Sequence, residues 1–212
     1  MKNILTMLWY KFTKNKILQQ DTIMSKIPVI IESLCYLLLK LRKIDKIHLV
    51  KLMYLADKYH LMNYGRTITG DDFIALEHGP TGSRTMDVLE FDRYILGNYM
   101  EKAEKFFQQG NGHEYLPGEE CSIDRLEMLS ESDTEALDFA VSNFGTKDKW
   151  DVVKYAHTLQ EWKKFEPLFK SHITKRESIA TTEVLTDPHD KYFQIPKEHI
   201  EDSYKILTGS FD

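Results

Sequence analysis

The sequence predicts a mainly helical α+β fold, a compact helical domain with a small two-stranded β element. Apolar residues recur at helical spacing over residues 27–41, over residues 45–63 and again in the second half of the chain. Residues 73–76 and 114–116 are the strand candidates, because they are short, apolar or aromatic runs beside turn residues. We expect these two strands to pair with each other.

The first two helices have recognisable ends. The first begins near residues 25–28, where Pro28 is tolerated because its missing N–H would have no partner in the first turn. The second begins after Asp45, a favourable N-cap, and runs to about Asn63. Gly65 is well placed to end it in the left-handed conformation.

A His-Gly-Pro segment at residues 78–80 follows the first strand. Proline restricts the preceding residue, and glycine permits backbone angles closed to other residues. We interpret this segment as a rigid strand-to-helix corner, after which Thr81 or Ser83 caps the third helix.

The second half is also helical. Ser132 and Glu135 predict a capping box, in which each side chain binds an otherwise free N–H. Residues 146–148 open the following helix. Residues 171–195 have no periodic pattern and are interpreted as loop, and residues 197–207 form a last amphipathic helix.

Composition is that of an ordinary globular protein, with 42% apolar and 29% charged residues in a chain of 212. This length accommodates one domain with extensions or two small domains. The formal net charge is −5, although residues 1–26 contain five lysines and one aspartate. An acidic chain gives no support to general nucleic-acid binding, so nucleic acid is not an expected partner.

Residues 1–24 form a basic extension in which Ile4, Leu8 and Phe12 are spaced for a weak amphipathic helix. Such a helix suits a membrane surface or a groove on a partner. Two simpler interpretations stay open, a flexible tail and a start of translation at Met24.

Two cysteines, Cys35 and Cys121, are too few for a disulfide framework. We predict unpaired thiols in a cytoplasmic protein. A zinc site is disfavoured because Cys121 has His113 nearby but no second pair of ligands. The apolar run over residues 27–39 is interrupted by Glu32 and is too short to span a bilayer, so no membrane partner is expected.

Ionisable residues do not form a recognisable catalytic pattern. Asp57 and His60 are three apart on one helix, which fits either a base oriented by a carboxylate or an ordinary surface pair. Asp71 and Asp72 fit a turn better than acid–base work, and His157 is interpreted as a packing histidine. The sequence contains no phosphate-loop, zinc-protease or nucleophile-elbow motif, so we expect no cofactor and no metal.

Residues 51–90, with later pieces in matching order and spacing, resemble the Panacea (SocA-like) antitoxin domain. The pieces that carry the resemblance are residues 51–57 (KLMYLAD), Tyr59, Gly65, Arg66, Asp72, Phe73, His78, Gly79, Pro80, residues 114–116 (EYL), residues 129–133 (LSESD), Gly145, Trp150, His157, Thr158 and Trp162. On this basis the antitoxin domain covers residues 25–165. Residues 166–212 then form a C-terminal loop and helix.

The resemblance implies a bacterial or phage-associated antitoxin without enzymatic activity, mainly helical with a small β element. Such proteins bind and neutralise a toxin protein encoded beside them. The family pairs with unrelated toxins, so the resemblance does not identify the toxin. Direct occlusion is the mode that the family favours, and the alternative is an adaptor that delivers the toxin to an ATP-dependent (AAA+) protease.

An exposed patch on the second helix and the His-Gly-Pro segment is the predicted partner-binding surface, because aromatic and arginine side chains anchor most interfaces. The patch consists of Tyr54, Asp57, Tyr59, His60, Tyr64, Arg66, His78, Gly79, Pro80 and Thr81. Two other interpretations stay open. One is an enzyme with a cleft around Asp57, His60 and His78, and the other is an autoregulator that binds DNA through the basic N-terminal residues.

Overall fold

The computed structural model describes residues 26–187 and 190–210 of the chain. The predicted basic extension over residues 1–24 lies outside the described residues, so its competing interpretations stay predictions. Within the described residues, the predicted mainly helical α+β class is confirmed. None of the helices in this part of the chain is both long and apolar enough to cross a membrane.

Helices supply most of the fold, and short strands form two small sheets. The helices are α1 (Ile27–Leu41), α2 (Lys46–Tyr64), α3 (Ser83–Leu89), α4 (Arg93–Leu96), α5 (Met100–Phe106), α6 (Glu131–Phe144), α7 (Lys149–Ala156), α8 (Gln160–Lys163), α9 (Glu166–Lys170), α10 (Thr181–Val184) and α11 (Lys197–Thr208), with 3-10 turns at Gly97–Tyr99 and Ile123–Arg125. The strands are β1 (Ile44–Asp45), β2 (Phe73–Leu76), β3 (Gly79–Gly82), β4 (Phe107–Gln109), β5 (Glu114–Pro117) and β6 (Glu177–Ser178).

Helix α2 lies at the centre, packed against α1, α6, α7, α11 and strand β3. Its ends are as predicted: the Asp45 side chain accepts a hydrogen bond from the Ile47 N–H at 2.8 Å, and Gly65 has a φ of 69°. Because α2 is covered along most of its length, even Lys51 and Lys58 are buried. Polar side chains on such a helix must find partners inside the protein.

The strand pairing differs from the prediction. The two antiparallel sheets have the orders β1-β5-β4 and β3-β2-β6, so the expected pairing of residues 73–76 with residues 114–116 is wrong. The first of these strands instead forms a hairpin with β3, with Phe73 opposite Gly82. Strand β5 pairs with β1, just before α2. Which strands meet depends on how the helices pack, and short strands carry little information about that.

The His-Gly-Pro segment is therefore not a strand-to-helix corner, which corrects the prediction. Gly79 and Pro80 lie in β3, one of the two edge strands of the β3-β2-β6 sheet. Gly79 has a φ of 102°, which favours glycine and lets the chain reverse directly after β2. Proline is tolerated on an edge strand because the missing N–H does not interrupt a central ladder.

The start of α3 is capped from a distance. The prediction that Thr81 or Ser83 caps this helix is wrong, because Gly82 occupies the N-cap position. The Asp71 carboxylate instead accepts hydrogen bonds from the backbone N–H groups of Arg84 and Thr85, both at 2.8 Å. A Cβ at Gly82 would lie 2.1 Å from that carboxylate, so glycine there leaves room for the cap.

The capping box of α6 is two residues earlier than predicted. Ser130 and Asp133 form it, whereas Ser132 and Glu135 were expected. Two Ser-x-x-acid frames overlap here, and the sequence alone does not choose between them. Helix α7 begins after Asp148, as predicted.

The prediction of unpaired thiols is wrong, because Cys35 and Cys121 form a disulfide with their Cα atoms 5.7 Å apart. The bond links α1 to the segment before the second 3-10 turn, across 86 residues of sequence. Such distance in sequence is why two cysteines alone gave no sign of pairing. Because Cys121 is bonded to Cys35, it supplies no free thiolate for a zinc site with His113.

Residues 171–195 contain more structure than the predicted loop. They include β6 and α10, and Ile179, Val184 and Phe193 are buried in the core. The core thus continues past residue 165 and is closed by the predicted last helix, whose Ser203 hydroxyl donates to the Met62 carbonyl oxygen at 3.0 Å.

Candidate functional site

The predicted partner-binding patch is only partly a surface. Tyr54, Asp57, His60, Gly79, Pro80 and Thr81 are buried, Tyr59 is half-buried, and Tyr64, Arg66 and His78 are exposed. The expectation of one exposed patch is therefore wrong, because α2 is the central helix rather than a surface helix. The exposed members lie in two places, one beside α6 and one beside α7.

At the first place, Arg66 and His60 converge on Asp133 of α6. Arg66 Nη2 lies 2.9 Å and His60 Nε2 lies 3.2 Å from the Asp133 carboxylate. His60 Nδ1 donates to the Arg66 carbonyl oxygen at 2.8 Å. Burial alone would raise the pKa of Asp133, but hydrogen bonds from His60 and Ser130 and the charge of Arg66 hold it below its usual range. This arrangement ties the end of α2 to the start of α6.

Two tyrosines at the same place are tied to Glu135. The hydroxyls of Tyr59 and Tyr64 donate to its carboxylate at 2.8 and 2.6 Å. The Tyr59 ring also stacks on Phe139, with the ring centres 4.2 Å apart. The polar groups of this place are thus largely satisfied inside the chain.

Asp57 is bound to the turn that follows α2. Its carboxylate accepts hydrogen bonds from the Thr69 N–H at 3.0 Å and from the Thr69 hydroxyl at 2.5 Å. Burial raises the pKa of Asp57 to about 7, against the opposing effect of these bonds. Asp57 therefore fixes the turn after α2.

Lys58 and Glu161 form a buried ion pair at 2.9 Å. The Tyr54 hydroxyl also donates to Glu161, at 2.7 Å. Lys58 Nζ reaches two further acceptors, the carbonyl oxygens of Val184 at 2.6 Å and Thr186 at 2.8 Å. This network joins α2, α8 and the C-terminal segment.

The second place is a face formed by the β2–β3 hairpin and α7, which we call the His78–Trp150 face. The His78 and Trp150 rings meet edge to face with their centres 5.5 Å apart, and Trp150 is 44% exposed. Lys149 lies over the Trp150 ring at 5.4 Å and forms an ion pair with Asp45 at 2.7 Å.

Behind this face, two more aromatic residues lock the hairpin to the helices. His157 stacks on Trp162 with ring centres 3.9 Å apart, and the Trp162 indole N–H donates to the Leu76 carbonyl oxygen at 2.7 Å. His157 packs as predicted, although its Nε2 is buried with no hydrogen-bond partner among the described residues. Burial lowers the pKa of His157.

A cavity of about 400 Å³ opens beside His78. Its ionisable lining residues are Lys46, Lys51, Glu77, His78, His113 and Lys175. Lys51 Nζ donates to the Pro80 carbonyl oxygen at 2.7 Å, the one polar contact found for it in the described part of the chain. Burial lowers the pKa of Lys51 to about 7.

The cleft of Asp57, His60 and His78 does not form as a shared site. Asp57 binds Thr69, His60 binds Arg66 and Asp133, and His78 contacts Trp150. Each side chain is engaged by a different partner, so the three do not make the acid–base arrangement that the enzyme interpretation requires.

A family model described as antitoxin SocA-like, Panacea domain, matches residues 49–163, more than half of the chain. The chain belongs to this family. No curated protein and no solved structure matches the chain. The Panacea match runs from α2 to α8 and includes both places described above, which confirms the resemblance found in the sequence.

Lys51 at the wall of the cavity and Trp150 on the exposed face were not predicted from the sequence, although both belong to the pieces that carry the resemblance. For Lys51 a signal was present. Lys51 and Lys58 are seven residues apart on a helix that is apolar on several sides, so both had to enter the interior. The partner that each lysine finds there is set by tertiary packing and has no local signal.

Proposed function

We propose that this Panacea protein is an antitoxin that neutralises a cognate toxin, encoded beside it, by binding the toxin protein directly. Membership of the SocA-like Panacea family carries the proposal. The proposed place of action is the cytoplasm, where both proteins would be made. Occlusion of the toxin, rather than catalysis, is the proposed mechanism.

The His78–Trp150 face is the proposed centre of contact. Tryptophan is enriched among residues that dominate binding energy, because it buries a large area at low entropic cost. Trp150 is half-exposed yet held in place by His78 and Lys149. Since less motion is lost on binding, a side chain fixed in advance binds more tightly than a mobile one.

The Tyr64–Arg66 place is a weaker candidate for the centre. Tyr64 and Arg66 are exposed, but the hydroxyl of Tyr64 already binds Glu135 and the guanidinium of Arg66 already binds Asp133. A toxin that used these groups would have to share or replace those bonds. We propose these residues as the edge of the interface, together with the half-buried Tyr59.

Charge favours the same mode of action. The formal net charge of the chain is −5, and residues 27–212 are more acidic than the whole. Long-range electrostatic attraction between an acidic chain and a basic partner speeds their encounter. We therefore expect a basic toxin to associate faster at low salt than at high salt.

Co-expression with each neighbouring reading frame tests the proposal, with growth and the amount of toxin scored together. Direct neutralisation predicts that growth recovers while the toxin persists in a complex with this chain. Recovery with loss of the toxin would instead favour the proteolytic adaptor. If no neighbour is toxic and none co-purifies, the proposed function is wrong.

A further inference from the structure

Lys51 and Lys58 differ in the number of hydrogen-bond acceptors around their side-chain amines. Both are buried on α2. Lys58 Nζ has three acceptors, the Glu161 carboxylate and two carbonyl oxygens. Lys51 Nζ has the Pro80 carbonyl oxygen alone among the described residues, although an ammonium carries three N–H donors. Lys58 thus has the acceptors that a buried ammonium needs, and Lys51 lacks two of them.

The unsatisfied amine lies at the wall of the cavity beside His78. The walls include the apolar side chains of Val50, Leu76 and Met86. At about 400 Å³, the cavity is in the size range of sites that take small organic groups. An entering group can therefore bury apolar surface and also reach an amine.

Lys51 has no carboxylate partner among the described residues, whereas Lys46, which lines the same cavity, pairs with Glu90. The titratable and charged groups that line the cavity with Lys51, or interact with it electrostatically, are Lys46 on its own helix, Glu77 and His78 from the hairpin turn, His113 from the β4–β5 loop, His157 directly after α7 and Lys175 before β6. Glu77 is the sole carboxylate among the lining residues. A ligand group with negative charge is therefore favoured over a neutral or positive one.

We propose that the cavity binds a carboxylate carried on an apolar body, with Lys51 as its ionic partner, and that an acidic segment of the toxin supplies this carboxylate. The choice of the toxin as the source rests on the proposed function. It follows from position, because His78 belongs both to the cavity lining and to the His78–Trp150 face. A segment that leaves the proposed interface can enter the cavity directly.

Proton uptake is the signature of this site. Burial lowers the pKa of Lys51 to about 7, so at pH 8 the amine of the free protein is mostly neutral. A carboxylate that binds beside it favours the charged form and raises that pKa. Binding then takes up a proton, and affinity falls by up to about tenfold per pH unit above pH 7.

Calorimetric titration of the full chain with 4-phenylbutyrate tests the chemistry, with 4-phenylbutyramide as the neutral control. We expect the acid to bind at least about tenfold more tightly than the amide at pH 7, with a heat that changes between buffers of different ionisation enthalpy. Equal binding of acid and amide, or a heat independent of the buffer, would overturn the proposal.

The Lys51→Met variant assigns the effect to one residue, since methionine keeps an apolar chain of similar length. It should bind the acid no better than the amide and show no proton uptake. His78→Gln and His113→Gln are matched controls, because histidines also titrate near neutral pH. Proton uptake lost with either histidine but kept in the Lys51 variant would contradict the assignment. The comparison of acid and amide on the unaltered chain needs no variant to fold.

Competition with the toxin identifies the source. If a toxin segment occupies the cavity, saturating 4-phenylbutyrate weakens toxin binding, whereas 4-phenylbutyramide does not. Acid binding at Lys51 without competition would overturn the toxin as the source and leave a free small carboxylate as the ligand. Neutralisation without any acid binding would refute this inference and leave the proposed function standing. Acid binding by a chain that neutralises nothing would refute the proposed function, and with it the toxin as the source, but not the carboxylate site at Lys51.

Discussion

At the scale of single residues, the buried charges of α2 are the most informative feature. Burial raises the pKa of Asp57 and lowers that of Lys51, each to about 7. For Asp57 the folded protein binds more protons than the unfolded chain between about pH 4 and pH 7. The contribution of Asp57 to stability is therefore fully present below about pH 4 and lost as pH rises to 7. Lys51 has the opposite effect. Above pH 7 the unfolded chain binds more protons at this residue than the folded protein does, so the contribution of Lys51 to stability grows as the pH rises.

The Asp57→Asn variant should remove the dependence of stability on pH that Asp57 causes. Relative to the unaltered protein, its free energy of unfolding should improve steadily from pH 4 to pH 7, because the amide carries no charge to bury. Denaturant unfolding across this range measures the difference. Asp202→Asn is the control, since Asp202 is exposed and pairs with Lys205 on the surface. Parallel pH profiles for Asp57→Asn and the unaltered protein would contradict the account.

The buried pair Lys58–Glu161 predicts a non-additive response. Lys58→Met alone should lower the free energy of unfolding by about 3 to 5 kcal/mol, because it leaves the Glu161 carboxylate buried and unpaired. The double variant Lys58→Met, Glu161→Gln should be more stable than Lys58→Met, since the amide can still accept from Tyr54. A double variant less stable than the single one would show that the pair is not coupled in this way.

Local signals predicted residues correctly where one segment determines the outcome. Asp45 and Gly65 mark the two ends of α2 as predicted, because a cap depends on residues that are neighbours in sequence. Asp71 was interpreted as a turn residue, but the groups that Asp71 and Asp133 bind were not predicted, since they belong to segments distant in sequence or to an overlapping capping frame. Burial of His60 and Tyr54 likewise followed from the central position of α2, which no local pattern encodes.

At the scale of elements, the β2–β3 hairpin positions the His78–Trp150 face. Its fit depends on Gly79, whose φ is 102° and whose added Cβ would lie 3.2 Å from both Ala156 Cβ and Lys51 Cε. Strand β3 thus lies so close to α2 and α7 that a side chain larger than that of glycine would need its neighbours to shift by a few tenths of an ångström. The strands themselves were predictable in part from residues 73–76, but their pairing was not, because it depends on α2 and the C-terminal segment.

The Gly79→Ala variant should be destabilised by about 1 to 3 kcal/mol, because it combines a disfavoured φ with a close contact. Gly112→Ala is a matched control, with a φ of 67° and no atom within 4 Å of the added Cβ. Thermal unfolding should therefore show a larger loss for Gly79→Ala than for Gly112→Ala. Equal losses would mean that the close packing of the hairpin contributes nothing beyond backbone strain.

At the scale of the whole molecule, the disulfide joins a helix that precedes the family match to a segment within it. Cys35 lies in α1, before residue 49, and Cys121 lies inside the matched region. The bond restricts the unfolded chain across 86 residues. Core packing places α1 in the same body, so the fold extends beyond the matched region on both sides.

Reduction of the disulfide should lower the free energy of unfolding by about 2 to 4 kcal/mol, because a long loop gains freedom in the unfolded chain. Denaturant unfolding with and without dithiothreitol measures the loss. The Cys35→Ala, Cys121→Ala double variant is the control, since reductant should not change its stability. Thiol titration of protein taken directly from cytoplasm, with free thiols blocked at lysis, should separately report whether the bond is present there.

The central claim, that this Panacea protein neutralises its toxin by direct binding through the His78–Trp150 face, is tested most directly by calorimetry with the purified toxin. Trp150→Ala should weaken binding by about 30-fold or more, as expected for an interface anchor. Tyr94→Ala, on α4, removes a side chain that is 83% exposed and should change affinity less than twofold. Unchanged affinity of Trp150→Ala, or no complex at all, would contradict the claim.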